Sequence, residues 1–298
     1  SGWDLATIEE AGFAPVRLEH LLKLAALDSL PDLRMVNELK THMTDAAAPS
    51  PSVETLLHAV LPYKFVDHTH ADAVAAVMNS KGGQDRIRSI YGESTVIIPF
   101  VMPGFDLARG VAERFPREAG KGTLGLILMN HGVFSFGDTA REAYERMIAL
   151  VDCAERHLAV NRAWHLPAAD QGPAEGPPRA DVARLRKGIS DAAGFPLILS
   201  VRGHGEGSAF ARRDDVKELS QQGPATPDHV GRTKRLPMVG RNVEAYREAY
   251  EEYFTAHAPQ AVGDVRMLDP APRVVLDRAL GLCTAGRTAK EADIVADL

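Results

Sequence analysis
His68 and His70, one residue apart in Lys64-Phe65-Val66-Asp67-His68-Thr69-His70, are the residues of this chain best suited to chemistry. Alternate side chains of a strand share a face, so this spacing sets two imidazoles side by side over one space, as a metal site requires. Farther along, the apolar run Leu124-Gly125-Leu126-Ile127-Leu128-Met129-Asn130 stops abruptly at His131-Gly132. Such a run has the character of a buried strand, which puts a third imidazole at a strand end. Upstream, Pro51-Ser52-Val53-Glu54-Thr55-Leu56-Leu57-His58 reads as a helix start, with Ser52 as N-cap and Glu54 in the first turn. A carboxylate beside three histidines gives the donor set of a metal-assisted lyase or hydrolase. Histidines satisfied at strand ends are the plainer alternative, and His58, one helical turn from Glu54, either orients it or packs.

The elements that must position these residues alternate in type. Leu18, Leu21, Leu22 and Ala25 fall at helical spacing in residues 16–27, and Leu33, Val36, Leu39 and Met43 repeat the pattern in 32–43. The histidine strand 64–70 runs into a helix former, Ala71 to Met78, and Thr95-Val96-Ile97-Ile98-Pro99-Phe100-Val101 is a further apolar strand. A helix through Leu107, Val111 and Phe115 follows, then the strand to Asn130, then Val133 to Gly137, then a long helix from Thr139 to about Ala159. This is an α/β layered pattern. The proline- and glycine-rich stretch 166–179 reads as a linker.

Beyond the linker the end of the first half recurs. Gly132 to Ala143 aligns without gaps on Gly281 to Ala292, with Leu280 where His131 stands. Pro227-Asp228-His229-Val230-Gly231 resembles Val66-Asp67-His68-Thr69-His70 with its second histidine lost, so the second half reads as a metal-free relative. Gly203-His204-Gly205 reads as a turn, Arg232-Lys234-Arg235 as a solvated charged face that could bind an anion, and Tyr246, Tyr250 and Tyr253 as one helical stripe.

Composition narrows the function classes. With 298 residues, 45% hydrophobic and 25% charged, the chain buries one large core or two ordinary ones. Net charge is −6 and no basic cluster tracks a phosphate backbone, so no nucleic acid partner is expected. Cys153 and Cys283 sit in helix-like and strand-like contexts that favour reduced thiols, hence a cytoplasmic setting. No run is long enough for a membrane span, so no membrane partner is expected.

Taken in order, Pro-Ser-x-Glu-x3-His, His-x-His and Asn-His-Gly resemble the class II aldolase/adducin family, in the branch related to rhamnulose-1-phosphate aldolases. The resemblance covers residues 1 to about 160. It implies a three-layer α/β/α fold with a central mixed or mostly antiparallel sheet. A metal-binding domain over residues 1–165, N-terminally incomplete, would precede a degenerate second copy over 180–298 that lacks the site. His68, His70 and His131 would then hold a divalent ion, usually zinc, with Glu54 as the catalytic acid/base. Ser52, with Ser1 and Gly2, would contact a substrate phosphate. The implied reaction is retro-aldol cleavage of a ketose 1-phosphate to dihydroxyacetone phosphate and an aldehyde through a metal-bound enediolate. Decarboxylation of a sugar-acid phosphate, epimerisation of a pentulose phosphate, or a non-catalytic adducin-like assembly module are the alternatives. The family also implies a homo-oligomer, a tyrosine proton donor and, in this branch, fusion to a short-chain dehydrogenase domain. No Gly-x-Gly-x-x-Gly is present, so no nucleotide cofactor is assigned.

Overall fold
Leu126, Ile127 and Leu128 are all fully buried, yet they belong to two different cores: Leu126 and Leu128 to one, Ile127 to the other. A strand whose successive side chains are both buried must be covered on both faces, and helices do the covering. The structure is a computed structural model that describes residues 3, 7–163, 178–227, 229–261 and 265–298. Two compact units emerge, Ser1–Trp164 with Ala225–Pro227, and His165–Pro224 with Asp228–Leu298.

The first unit runs α1 (Leu18–Ala25), α2 (Asp32–Thr41), α3 (Thr55–Val60), β1 (Phe65–Thr69), α4 (Asp72–Met78), α5 (Gly83–Tyr91), β2 (Thr95–Ile98), α6 (Phe105–Glu118), β3 (Gly125–Leu128), β4 (Gly132–Gly137) and α7 (Ala140–Val160). Its sheet is mixed, in the order β1-β4-β3-β2. Strands β1, β4 and β3 are antiparallel neighbours, and β2 lies parallel to β3. One face carries Val96, Ile98, Leu126, Leu128, Phe134 and Phe136 against α1, α2, α3 and α6. The other carries Ile127 and Val133 against α4, α5 and α7. The three-layer α/β/α arrangement expected from the sequence is thus present. Each fully buried Leu, Ile or Phe contributes about 1.5–3 kcal/mol.

Three local expectations need correction. Strand β2 stops at Ile98 rather than Val101, because Pro99 has no N–H to continue the ladder. The buried stripe of α1 is Leu21 and Leu24, with Leu18 and Leu22 exposed, and that of α2 is Met35 and Leu39, with Leu33 exposed. Helix α3 starts at Thr55 with Glu54 at its N-cap position, so Ser52 is not the cap. Its hydroxyl instead accepts the Glu54 N–H at 3.2 Å, in a turn closed by Thr55 N–H donating to the Ser52 carbonyl.

The second unit runs α8 (Arg179–Ala193), β5 (Ile198–Arg202), α9 (Glu206–Ala211), α10 (Val216–Ser220), α11 (His229–Thr233), β6 (Met238–Val239), α12 (Val243–His257), β7 (Val274–Asp277), β8 (Gly281–Gly286) and α13 (Ala289–Asp297). Its sheet order, β5-β8-β7-β6, repeats the first with the same directions of pairing. The repetition extends to single bonds. Ser135 Oγ donates to the Ala143 carbonyl in the first unit, and Thr284 Oγ1 to the Ala292 carbonyl in the second. Thr139 caps α7 by accepting the Glu142 N–H while Glu142 accepts the Asp138 N–H; Thr288, Glu291 and Arg287 do the same at α13.

The register also corrects the assignment of His229. Phe65 faces Gly137 and Ile198 faces Gly286, so the counterpart of His68 is Val201 and that of His70 is Gly203. His229 opens the short helix α11 instead; Asp228 and most of the 166–179 linker lie outside the described residues. Lys234, expected on a solvated face, is buried: its Nζ donates to the Asp269 carbonyl at 2.6 Å and lies 5.1 Å from the Tyr250 ring centroid. His204 sits in the bend before α9, as the glycines around it require.

Candidate metal centre
Backbone geometry brings the sequence-predicted residues together from three places: β1, the β3–β4 turn and the start of α3. His68 faces Phe134 across the β1–β4 pair, and its ring stacks on the Phe134 ring, with centroids 4.0 Å apart and planes 17° from parallel. His70 follows on the same side just past the strand end. The turn that presents His131 needs a left-handed residue, and Asn130 supplies it at φ 58°, a conformation that asparagine tolerates. That turn is closed by His131 N–H donating to the Leu128 carbonyl, and it is tied down by Asn130 Nδ2 donating to Asn79 Oδ1 at the end of α4.

The donors converge. Glu54 Oε1 lies 2.7 Å from His131 Nε2 and 3.2 Å from His68 Nε2, and His68 Nε2 lies 2.9 Å from His70 Nε2. One ligand atom from each of Glu54, His68, His70 and His131 falls within 4.8 Å of the others. The Nδ1 of His68 is 3.0 Å from the Val133 carbonyl, which can only accept, so Nδ1 carries the proton and Nε2 keeps a lone pair aimed into the cluster.

The arrangement fits a divalent cation better than it fits a network of hydrogen bonds. Glu54 Oε1 and both ring nitrogens of His131 are buried without a hydrogen-bond partner, the 2.7 Å approach lacking the required alignment. Leaving such groups unpaired costs about 1–3 kcal/mol each. Ligands held about 2.0–2.2 Å from one ion stand roughly 3.3 Å apart, close to the separations seen. Burial pushes the Glu54 carboxyl upward, but His131 and His68, when protonated on the nitrogens that face it, outweigh that and hold the group well below the usual carboxylate range. The centre is closed on the His131 side, where that side chain is 1% exposed, and open toward Glu54, at 16%. His58 is turned to packing: its ring meets Phe134 edge-on at 5.2 Å, and burial lowers its pKa.

Gly132 completes the geometry, and the sequence reading gave it no role. A Cβ there would stand 2.7 Å from the Thr69 carbonyl oxygen and 2.8 Å from both His68 Cε1 and His70 Cδ2, so the two rings occupy the space a side chain would fill. The signal was present in the sequence as a glycine immediately after the strand-end histidine. Of the proposed phosphate contacts, Ser52 sits two residues from Glu54, whereas Ser1 and Gly2 lie outside the described residues.

The sequence pattern of the class II aldolase and adducin N-terminal domain matches residues 1–158 of the 298. This chain belongs to the class II aldolase/adducin family. A pattern described as the second domain of class II aldolases matches residues 178–298 of the same aldolase-family chain. The curated protein YuxG of Bacillus subtilis (strain 168), described as an uncharacterized oxidoreductase, is 32% identical over 313 residues. That alignment takes in 97% of this chain and only 44% of YuxG, so the chain spans less than half of that relative. The N-terminal class II aldolase domain of a conserved protein from Thermoplasma acidophilum is 44% identical, over 53% of this chain and 72% of that one, with a TM-score of 0.49. A sugar-phosphate aldolase from Thermotoga maritima is 24% identical, over 40% and 57% of the two chains, with a TM-score of 0.32. Among the described residues no helix is long and apolar enough to cross a membrane.

Proposed function
We propose that this chain carries a divalent-metal-dependent aldolase centre that cleaves a ketose 1-phosphate, such as rhamnulose 1-phosphate, to dihydroxyacetone phosphate and an aldehyde. The observation that carries the reading is the convergence of three imidazoles and one carboxylate on a single space. His68, His70 and His131 serve as ligands through Nε2, and zinc suits a nitrogen-rich set of this size. When bound, the ion would supply the Lewis acidity that offsets negative charge on the substrate oxygen as the adjacent carbon–carbon bond breaks. The chain's own residues do the rest. Val133 fixes the His68 ring, Phe134 stacks on it, Gly132 leaves room for the rings of both His68 and His70, and Glu54 takes and returns the proton that moves as the bond breaks.

Ser52, beside Glu54, is assigned to the substrate phosphate together with Ser1 and Gly2. Residues 1–165 form the metal-binding domain and 180–298 a degenerate repeat in this reading, and the assembly is a homo-oligomer. The likeness to part of a larger protein described as an oxidoreductase supports an aldolase unit of the kind fused to a dehydrogenase.

Two measurements test the proposal. His68→Ala is expected to lower the divalent metal content of the purified chain by one equivalent. Glu54→Gln is expected to keep that ion and lose roughly 10²–10⁴-fold in aldehyde release from ketose 1-phosphates. Unchanged metal content in the first variant, or undiminished turnover in the second, would sink the assignment.

A further inference from the structure
His20, Glu38 and His42 form a second cluster that the aldolase centre does not use. His20 lies on α1, while Glu38 and His42 lie one helical turn apart at the end of α2. One donor atom of each stands within 4.8 Å of the others. His20 Nε2 is 2.9 Å from Glu38 Oε2, and His42 Nδ1 is 3.5 Å from the same oxygen. The two rings are stacked, centroids 3.3 Å apart and 8° from parallel, so both turn a nitrogen edge toward one carboxylate. We propose that His20, Glu38 and His42 bind a second divalent transition-metal ion, of the zinc class, that clamps α1 to α2.

Four features support it. Two imidazoles and a carboxylate are a sufficient protein set for such an ion, leaving a position for water. The backbone is organised before binding: Val16 bridges Met43, Arg17 N–H donates to the His42 carbonyl, and Thr44 N–H to the Pro15 carbonyl, which fixes the start of α1 against the end of α2. His42 is the C-cap of α2, where the helix dipole favours positive charge, while the neighbouring cations Arg17, Lys23 and Lys40 are exposed to solvent. The side chains of His20, Glu38 and His42 are 24%, 28% and 32% exposed, open enough for an ion to enter. Binding through Nδ1 gives up the His42 contacts to the Glu38 carbonyl, at 2.9 Å, and to Thr41 Oγ1, at 3.2 Å: the Nδ1 proton goes to solvent while Nε2 takes one up, so the imidazole stays neutral and no net proton is released. One ring tilts out of the stack so that its in-plane lone pair meets the ion.

The test is independent of the aldolase reading. The full chain carrying His68→Ala and His70→Ala is stripped of metal, dialysed against micromolar free zinc and analysed for bound ion. One equivalent is expected to remain, with a higher melting temperature than the stripped chain. Adding His20→Ala is expected to remove it. Adding Glu38→Gln, which keeps the shape of the side chain, is expected to weaken zinc at least tenfold while circular dichroism shows the helices intact. No bound zinc in the first chain, an equivalent that survives His20→Ala, or a zinc affinity that Glu38→Gln leaves unchanged, overturns the proposal.

Discussion
A methyl group at position 132 has nowhere to go, because the Thr69 carbonyl oxygen and the edges of His68 and His70 already stand 2.7–2.8 Å from where it would lie. The Thr69 carbonyl belongs to the strand ladder and cannot retreat, so the rings must. Gly132→Ala is therefore expected to leave the fold in place and weaken metal binding by about 10–100-fold, the usual range for a lost supporting contact. A zinc titration monitored by competition with a chelator measures it, and unchanged affinity would remove Gly132 from its role. Lys234 shows a different residue-scale effect. Burial lowers its pKa to about 8, with the Asp269 carboxylate opposing and Arg273 assisting, against ~10.4 in an unfolded chain. Between those values the unfolded state binds more protons than the folded one, so this group makes stability rise with pH, fully so only above ~10.4. The gain relative to Lys234→Met should be at most about 3 kcal/mol across that window. Urea denaturation of both chains at pH 7.5 and 10 checks the sign, and a parallel response of the two would refute it.

At the scale of elements, the strands and the start of the long helix at Thr139 were legible, whereas Ser52 was expected to cap α3 and does not. Thr139 and Thr288, each followed three residues later by a glutamate, mark the starts of α7 and α13, and both glutamates close the reciprocal bond. Thr139→Ala and Thr288→Ala should each cost about 0.5–2 kcal/mol. Thermal denaturation of the two variants reads this directly, and a cost near zero at either would mean that tertiary packing alone holds that helix end. Less legible was which face of a helix is buried. On α1 both Leu18/Leu22 and Leu21/Leu24 satisfy a 3.6-residue period, and only the position of the sheet decides for the second pair. The site shows the same division. His68, His70, His131 and Glu54 could be named from their types and spacing, since those express a chemistry. The Val133 carbonyl and the Asn130–Asn79 bond could not, since their roles come from backbone register and a turn conformation.

Across the whole molecule, one sheet topology is used twice, and the donors His68, His70 and His131 stand in the first unit only. Sequence similarity pointed to His229 as the remnant of the histidine pair, but a remnant is defined by register, and the strand that pairs with β8 is Ile198–Arg202. At the positions of His68, His70 and His131 the second unit has Val201, Gly203 and Leu280. Leu280 is fully buried in the core formed with Leu185, Ile189, Val275 and Cys283. In the second unit Ala279 stands where Asn130 stands, and the turn is held instead by Asp277, the counterpart of Leu128, whose carboxylate accepts the N–H groups of Ala279 and Leu280 and two bonds from Arg241. Apolar packing and an ion pair thus occupy the corresponding place, and a single histidine cannot create a site there. Leu280→His should bind no additional zinc and should lose on the order of 2–4 kcal/mol, from the lost packing together with the burial of an unpaired imidazole. Metal analysis beside denaturant unfolding tests both halves of this expectation. An extra equivalent of zinc in the variant would show that the second unit still holds a latent ligand set, and a stability matching the wild type would show that the Leu280 pocket is not the packed core it is described to be.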